Sequence, residues 1–310
     1  MKIAFVFPGQ GSQTVGMMDA WAQDAGVRDT LREGDQALGE DLTGLIARGP
    51  AEDLNLTANT QPAMLLCSVA MYRAWRQAGG AAPALVAGHS LGEYSALVAA
   101  GALDLADAVR TVRVRAQAMQ SAVPVGEGGM AAILGLDDEA VRQACAQAAG
   151  DQVVEAVNYN APAQVVIAGH AAAVERACEL ARAAGAKRAV ALPVSAPFHS
   201  RLLKPAAAVL EQALAGVAVQ TPTIPLINNV DVAQPVEPAA IRDALVRQAW
   251  HPVRWVETVQ AMKQAGVTHV VECGPGKVLT GLVKRIDRDL ATFNITDPAS
   301  LQQALDALGG

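Results

Sequence analysis

Aromatic residues are scarce in this chain, where four phenylalanines, four tryptophans and three tyrosines make up only 4% of 310 residues. The chain has only four cysteines, and no two of them form a CxxC pair. Their wide spacing excludes a zinc ribbon and a thioredoxin-like redox motif. The cysteines are Cys67, Cys145, Cys178 and Cys273. We expect reduced core thiols in a cytoplasmic protein that needs neither a metal nor a cofactor.

Long hydrophobic runs and an excess of positive charge are also missing. No run of 18 apolar residues free of charge occurs, which predicts that no segment spans a membrane. The apolar run at 3–7 is too short for a signal peptide. The 24 Lys and Arg residues are outnumbered by 30 Asp and Glu residues, and the net charge of −6 argues against a general nucleic-acid binder. A hydrophobic content of 52% is instead typical of a globular protein with a substantial core.

Strands and helices alternate along most of the chain, a pattern that is typical of a largely parallel sheet. Short apolar runs predict strands at 3–7, 84–87, 224–228 and 269–272. Helical periodicity and capping residues predict helices at 61–77, 90–100, 104–122, 202–215, 239–248 and 256–265. We therefore predict an α/β fold with a mainly parallel sheet.

The pattern changes after the glycines at 126, 128 and 129. Residues 130–193 predict a strand, a helix, two strands joined by a turn, a helix and a strand, and this βαββαβ order is typical of a ferredoxin-like unit. We predict that 127–198 form a small inserted ferredoxin-like domain, while 1–126 and 199–310 form a larger α/β-hydrolase-like domain. The alternative is that these strands continue the main sheet, but compact hairpins are unusual in a parallel sheet.

The most informative segment is ALVAGHSLGEYSALVAAG at 84–101. Ser90 lies between Gly88 and Gly92, where an apolar run ends and a helical pattern begins. A Gly-x-Ser-x-Gly pattern between a strand and a helix predicts a nucleophile elbow. The glycines allow a tight turn because they lack a Cβ, and a helix N-terminus favours developing negative charge. The alternative is a tight strand-to-helix turn with an incidental serine.

A serine hydroxyl becomes a good nucleophile when a base takes its proton, and the chain offers five histidines for this role. His89 is next to the serine and should diverge from it after a sharp turn. His170 opens a helix of the predicted small domain, and His269 begins a strand. His199 and His251 therefore remain. His199 lies where the chain leaves the predicted small domain, and clefts tend to form at such junctions.

Five segments of the sequence carry a resemblance to a known family. They are FPGQGSQ at 7–13, GHSLGEY at 88–94, VRVRAQAM at 112–119, APFHS at 196–200 and GPGKVLTGL at 274–282. Together they resemble the malonyl-CoA:acyl-carrier-protein transacylases, which load malonyl units in bacterial fatty-acid synthesis. The segments follow the family's order, and the resemblance reaches from the first residues to about Arg288.

The resemblance implies a catalytic role for each matching residue. Ser90 matches the nucleophile that becomes malonylated, and His199 matches the general base. The main-chain carbonyl at Gln248 matches the group that orients this histidine, in place of the acid that a hydrolase triad usually supplies. The main-chain N–H groups of Gln10 and Leu91 match the oxyanion hole, so two separate loops should converge on one oxygen.

Further residues match the acyl-binding part of the family site. Arg115 matches the arginine that binds the malonyl carboxylate, because a guanidinium donates two parallel hydrogen bonds to such a group. The alternative, without the resemblance, is an exposed arginine of a predicted helix. We expect Asn158 and Asn160 to donate hydrogen bonds near the acyl thioester. Phe198 resembles the bulky side chain of malonyl-selective members, which disfavours an α-methyl group.

The resemblance implies ping-pong transfer of malonyl from malonyl-CoA, through a malonyl-serine ester, to the phosphopantetheine thiol of acyl carrier protein. Carrier proteins are acidic, so we expect docking on a basic patch of an otherwise monomeric protein that binds no nucleic acid and no membrane. The candidates for this patch are Lys187, Arg188, Arg201, Lys204, Lys277, Lys284, Arg285 and Arg288. The alternatives are a stand-alone polyketide acyltransferase, the transacylase of a malonate decarboxylase, a serine esterase or thioesterase, and a non-catalytic carrier-binding subunit.

Overall fold

A computed structural model describes residues 1–194 and 196–309, and these residues form two separate β-sheets with associated helices. Sheet A has five strands, and every neighbouring pair in it is parallel. Strands are numbered along the chain, and the spatial order in sheet A is β7 (Leu226–Ile227), β2 (Leu85–Gly88), β1 (Ile3–Phe7), β8 (His269–Cys273) and β9 (Ala291–Ile295). The predicted α/β fold with a mainly parallel sheet is confirmed.

Sheet B is antiparallel and has the spatial order β4 (Val154–Ala161), β5 (Gln164–His170), β3 (Gly128–Leu134) and β6 (Arg188–Ala191). Its two helices are α7 (Asp138–Ala149), between β3 and β4, and α8 (Ala171–Ala183), between β5 and β6. This connectivity is the βαββαβ unit that the sequence predicts. The strands therefore do not continue the parallel sheet.

The remaining helices belong to the parts of the chain that build sheet A. They are α1 (Ala25–Leu38), α2 (Leu42–Arg48), α3 (Ala51–Leu54), α4 (Thr57–Gln77), α5 (Gly92–Ala99), α6 (Leu105–Ser121), α9 (Lys204–Ala215), α10 (Pro238–Gln248), α11 (Trp255–Gln264), α12 (Val278–Ile286) and α13 (Pro298–Leu308). Short 3-10 turns occupy Asp19–Trp21 and Arg201–Leu203. In the described part of the chain, no helix combines the length and the apolar character needed to cross a membrane.

Sheet A is buried on both faces, which explains why β1 is a continuous apolar run. Phe5 and Phe7 pack into a large core with α4, where the rings of Phe5 and Trp75 lie 5.3 Å apart. Ala4 and Val6 point to the other face and pack with apolar residues of α11 and α12. A parallel sheet covered in this way presents its strand ends, rather than its faces, to ligands.

The register of sheet A brings three loops together at its carboxyl edge. Phe7 pairs with Gly88 at the ends of β1 and β2, and Ile227 at the end of β7 pairs with Ala87. The loops that follow these strands therefore leave the sheet at one level. The loops begin at residues 8, 89 and 228. They therefore bring Gln10, Ser90 and the pair Asn228 and Asn229 into one region.

Several boundaries differ from the sequence prediction. Helix α4 begins at Thr57, so Pro62 lies in its second turn and not in the first. Helix α5 begins at Gly92 because Ser90 is in the left-handed region with φ of 53°. The strand expected at 224–228 has only two residues. Elements that the sequence did not predict are α1, α2, α3, β9 and α13.

Sheet B and the sheet A region are joined by hydrogen bonds as well as by the chain. The N–H of Val253 donates to the carbonyl of Val157 at 2.8 Å, and the N–H of Tyr159 donates to the carbonyl of Val253 at 3.0 Å. The segment that follows α10 is thus paired with β4. All strands of sheet B lie within 128–191, which supports the division at 127–198, and this division stays a proposal.

The four cysteines are free thiols, and all four are buried. Burial raises the pKa of each thiol, since a thiolate would lose its hydration. The largest effects fall on the two cysteines of the sheet A region, Cys67 and Cys273. These residues are therefore inert core side chains.

Candidate active site

Ser90 stands on a sharp turn between β2 and α5. Its φ of 53° is uncommon for a residue with a side chain. The backbone is so crowded here that a Cβ on Gly88 would overlap the main chain of Gly92, and a Cβ on Gly92 would overlap the carbonyl oxygen of Phe7. Both glycines are therefore required by close main-chain approach, and the turn has the form expected of a nucleophile elbow.

The imidazole of His199 contacts the serine directly. Its Nε2 lies 2.7 Å from Ser90 Oγ, and its Nδ1 lies 2.9 Å from the main-chain oxygen of Gln248. A carbonyl oxygen only accepts, so Nδ1 carries the proton and Nε2 is free to accept the proton of the hydroxyl. The structure thus distinguishes between the two remaining histidines, because the ring of His251 contacts Trp250 instead.

His199 is buried, and this sets its protonation state. Desolvation is the main cause that lowers its pKa to about 3, and the positive charge of Arg115 lowers it further. The imidazole is therefore neutral at physiological pH. Like Ser90, His199 has a positive φ, of 64°. Ser90 and His199 are hydrogen-bonded to each other, and both have a positive φ that is uncommon for residues with a side chain. The surrounding structure therefore imposes backbone strain at this site.

Gln10 and Leu91 line the same cavity as the serine, and their main-chain N–H groups are the predicted oxyanion hole. Neither N–H donates a hydrogen bond to any residue that the structure describes. Gln10 follows β1 and Leu91 follows β2, and the parallel pairing of these strands brings the two loops together. Two unpaired N–H donors from separate loops are what an oxyanion hole needs.

Arg115 lies in α6 and is buried, with only 1% of its surface exposed. Its Nη2 donates to Ser90 Oγ at 3.1 Å and to Gln248 Oε1 at 3.0 Å, and its Nη1 donates to Gln61 Oε1 at 2.5 Å. Its Nε has no acceptor among the described residues. The hydrogen bonds of this buried cation all go to neutral oxygens, so the guanidinium is able to take an anionic hydrogen-bond partner.

These groups surround a cavity of about 290 Å³ that extends from the serine to an apolar wall. The apolar lining comes from both sheet regions and includes Met130, Val166, Leu192, Phe198, Val278 and Leu282. The polar end contains the serine, the histidine and the arginine. The cavity can therefore hold a short acyl group with a charged end and a longer, less polar arm.

Three of the predicted acyl-binding residues line this cavity: Asn158, Asn160 and Phe198. Asn158 is 6% exposed and its side chain makes no hydrogen bond to another described residue, so its amide is available to a ligand. Asn160 Oδ1 accepts a hydrogen bond from His89 Nε2 at 2.8 Å, which leaves its NH₂ group free to donate. The roles of these three residues stay predictions.

A buried polar network behind the elbow was not predicted from the sequence. Ser90 N–H donates to Asn229 Oδ1 at 2.7 Å, and Asn229 Nδ2 donates to the Gly88 carbonyl at 2.6 Å. Glu93 Oε2 in turn accepts from Asn229 N–H at 2.9 Å. Two features of the sequence could have indicated this network. Asn228 and Asn229 come at the end of a predicted strand, and Glu93 is a carboxylate in a mainly apolar predicted helix.

The eight basic candidates for a docking patch are all exposed. Some are engaged within the protein: Arg201 pairs with Glu155 at 3.2 Å, and Lys204 Nζ lies 4.6 Å from the ring centroid of Trp250. Arg285 donates to a glutamine of β5.

In 1–194 and 196–309, no cluster of three or more His, Cys, Asp or Glu side chains could hold a metal ion.

Comparisons with known proteins show the family to which the chain belongs. The family model described as acyl transferase domain matches residues 4–296. The chain therefore belongs to the acyl transferase domain family. It is 56% identical over 306 residues to the malonyl CoA-acyl carrier protein transacylase of Escherichia coli strain K12, which covers 98% of this chain and 99% of the relative. The resemblance to the malonyl-CoA:acyl-carrier-protein transacylases is thus confirmed.

Solved structures give the same result. The acyl-carrier-protein S-malonyltransferase of Burkholderia pseudomallei 1710b is 66% identical, with a TM-score of 0.97 over 99% of this chain and 100% of that one. A malonyl-transacylase in complex with a type II PKS acyl-carrier protein is 51% identical, with a TM-score of 0.98 over 99% and 100% of the two chains.

Proposed function

We propose that this protein transfers the malonyl group of malonyl-CoA to the phosphopantetheine thiol of acyl carrier protein, as a cytoplasmic enzyme of fatty-acid synthesis. The observation that carries the proposal is the buried Arg115 guanidinium, which lies 3.1 Å from the nucleophilic oxygen of Ser90. This separation suits an acyl group whose carboxylate lies two bonds beyond the reacting carbonyl. The names of the relatives support the same substrates.

In the first half of the reaction, His199 Nε2 takes the proton of Ser90 Oγ while this oxygen attacks the thioester carbon. The oxyanion accepts hydrogen bonds from the N–H groups of Gln10 and Leu91. The carbon–sulfur bond then breaks, and His199 returns the proton to the departing CoA thiolate. A malonyl ester of Ser90 remains, with its carboxylate against Arg115.

In the second half, the carrier-protein thiol gives its proton to His199 and attacks the ester carbon. The carbon–oxygen bond to Ser90 breaks, and the proton returns from His199 to Ser90 Oγ. The histidine thus alternates between base and acid, and the Gln248 carbonyl stabilises the imidazolium through Nδ1. Atoms and charges balance without a cofactor.

The charge of Arg115 also links substrate binding to the strength of the base. This charge is the second cause that lowers the pKa of His199. A malonyl carboxylate against the guanidinium offsets the charge, and the basicity of His199 then rises when the correct acyl group is bound. An uncharged acyl group does not provide this effect.

The test is intact mass measurement after incubation with malonyl-CoA alone. We expect one malonyl group per chain on Ser90, none in Ser90→Ala, and release of the group when carrier protein with its phosphopantetheine arm is added. A serine that remains unmodified, or an ester lost to water at the same rate with and without carrier protein, would contradict the proposal.

A second candidate is the same transfer to a polyketide acyl carrier protein. It is favoured by the solved complex of a 51% identical transacylase with such a carrier. The test is competition between fatty-acid and polyketide carrier proteins for one pool of malonylated enzyme. An esterase is less compatible with the site, because a main-chain oxygen, and not a carboxylate, orients His199.

A further inference from the structure

Glu93 is a buried carboxyl group directly behind the elbow, and the transfer steps above do not use it. It lies in the first turn of α5 and is 2% exposed. Two donors reach the same oxygen: Oε2 accepts from Asn229 N–H at 2.9 Å and from Gln248 Nε2 at 2.9 Å. The hydrogen bonds therefore depend on one acceptor oxygen, which an uncharged amide could also supply.

The bond to Glu93 fixes the orientation of the Gln248 side-chain amide. Its Nε2 donates to Glu93 Oε2 and to the Ser90 carbonyl at 3.0 Å, so both amide hydrogens are used. Its Oε1 must then face Arg115, where it accepts from Nη2. A flipped amide would set donor against donor at Arg115 and acceptor against acceptor at the other end.

The orientation of Arg115 depends in turn on this amide oxygen. Nη2 divides its donors between Gln248 Oε1 and Ser90 Oγ, while Nη1 is held by Gln61. Without the amide oxygen, one buried N–H of Nη2 would lack its acceptor, and the guanidinium would be free to turn away from the serine.

We propose that Glu93 is a positioning residue for acyl-group selection, and that it acts through the Gln248 side-chain amide to hold Arg115 against Ser90. This inference rests on the proposed function, since it assumes that Arg115 binds the acyl carboxylate. Burial raises the pKa of Glu93 to about 7, with the bonds from Gln248 and Asn229 and the Arg115 charge acting in the opposite direction. The positioning needs the acceptor oxygen in either protonation state.

The two bonds of Glu93 lead to different parts of the site. The bond to Asn229 supports the elbow, because Asn229 also accepts from Ser90 N–H, and its loss affects every acyl group alike. The bond to Gln248 leads to Arg115, which matters for an acyl group with a carboxylate. The ratio of malonyl to acetyl transfer therefore isolates the proposed role from a general structural one.

The experiment measures kcat/KM for acyl-enzyme formation with malonyl-CoA and with acetyl-CoA. We expect Glu93→Ala to lower the malonyl-to-acetyl ratio by about 10- to 100-fold, as for the loss of a buried hydrogen-bond acceptor. We expect the matched variant Glu93→Gln to keep the ratio within about threefold, because it keeps the oxygen. In an Arg115→Ala background, Glu93→Ala should leave the ratio unchanged, because the residue through which it acts is gone.

Equal losses with both substrates, or the same fall in ratio with and without Arg115, would overturn the inference. If Glu93→Ala does not fold, Gln248→Met carries the test, since it removes the amide and keeps the main-chain carbonyl that orients His199. An unchanged ratio in Gln248→Met also overturns it. Wild-type protein that forms no malonyl-serine ester would instead overturn the proposed function.

Discussion

Arg115 Nη2 donates a hydrogen bond to Ser90 Oγ, the same oxygen whose proton is shared with His199 Nε2. Ser90 Oγ, the proposed nucleophile, thus lies between the proposed base and a cation. In the proposed mechanism, a carboxylate that enters beside Arg115 competes for the Nη2 donor. Ser90 Oγ then loses the hydrogen bond from Arg115, and the nucleophilicity of this oxygen rises. The proposed mechanism therefore links binding of the acyl carboxylate to activation of the serine through one N–H group.

Removal of this cation should change the acyl preference. We expect Arg115→Ala to lower kcat/KM for malonyl-CoA by about 100-fold, the value of a lost charge-assisted hydrogen-bonded pair, with a much smaller loss for acetyl-CoA. The matched control is Arg113→Ala on the same helix, since Arg113 bonds to Asn59 and Glu40, away from the serine. Parallel losses for both substrates would show that Arg115 does not contact the acyl carboxylate.

Removal of the base should slow acyl-enzyme formation without unfolding the protein. We expect His199→Ala to lower the rate by about 1,000-fold, as for the loss of a general base. His251→Ala is the control, because that imidazole contacts Trp250 at a ring-centroid distance of 3.8 Å and has no hydrogen bond to the serine. Stopped-flow or quenched intact mass measurement gives both rates, and similar rates in the two variants would count against the base assignment.

The low pKa of His199 predicts an unusual pH profile. The imidazole is the proposed base and its pKa is lowered to about 3. We therefore expect kcat/KM for malonyl-CoA to show no acid limb near pH 6.5 and to stay flat down to about pH 5. Arg115→Ala removes a charge that lowers this pKa, so its acid limb should move to higher pH. A wild-type midpoint near 6.5 would mean that the histidine is solvated.

Charge reversal at the start of β6 tests the docking patch. Lys187 and Arg188 are both exposed, and we expect Lys187→Glu with Arg188→Glu to raise KM for the carrier protein at least about tenfold, since an acidic partner is then repelled. KM for malonyl-CoA should not change. Reversal of Arg28 and Arg32 on α1 controls for net charge. Equal rises in KM for both substrates would reject this patch.

Two glycine-to-alanine substitutions should have opposite effects on stability. A Cβ on Gly92 would overlap the main chain of β1, so Gly92→Ala should lower the free energy of unfolding by about 2–3 kcal/mol. A Cβ on Gly281, within α12, would meet no atom within 4 Å, so Gly281→Ala should raise it by about 0.5–1 kcal/mol. Urea unfolding measures both, and a tolerated Gly92→Ala would contradict the crowded elbow.

The elements that the sequence predicted are those with strong local signals. Helix α6 begins after Asp104, whose side chain accepts from Ala106 N–H at 2.9 Å, as its capping position predicts. Helix α1 was missed because few of its residues are apolar and it contains Gly34. A Cβ there would overlap the side chain of Leu66 on α4, so this glycine serves a close contact between helices that local sequence does not reveal.

The residues of the site also differ in whether local sequence predicts them. The elbow around Ser90 follows from a local pattern, and the resemblance supplied the residues that the structure brings around it. Residue reasoning alone left His199 and His251 open, because only the fold distinguishes them. Asn229 and Glu93 were missed since their contacts join residues more than 130 positions apart in the chain. Through-space polar networks leave little trace in a single sequence.

The burial of every cysteine has a consequence for chemistry on thioesters. A surface thiolate would exchange with acyl-CoA and with the acylated pantetheine arm. The acyl group would then be held on a cysteine as an unproductive thioester. Here each sulfur is sequestered and protonated. No cysteine of the chain therefore competes with the Ser90 hydroxyl for the acyl group. In an assay, we expect thiol-alkylating reagents to react with free CoA and to leave the protein unmodified.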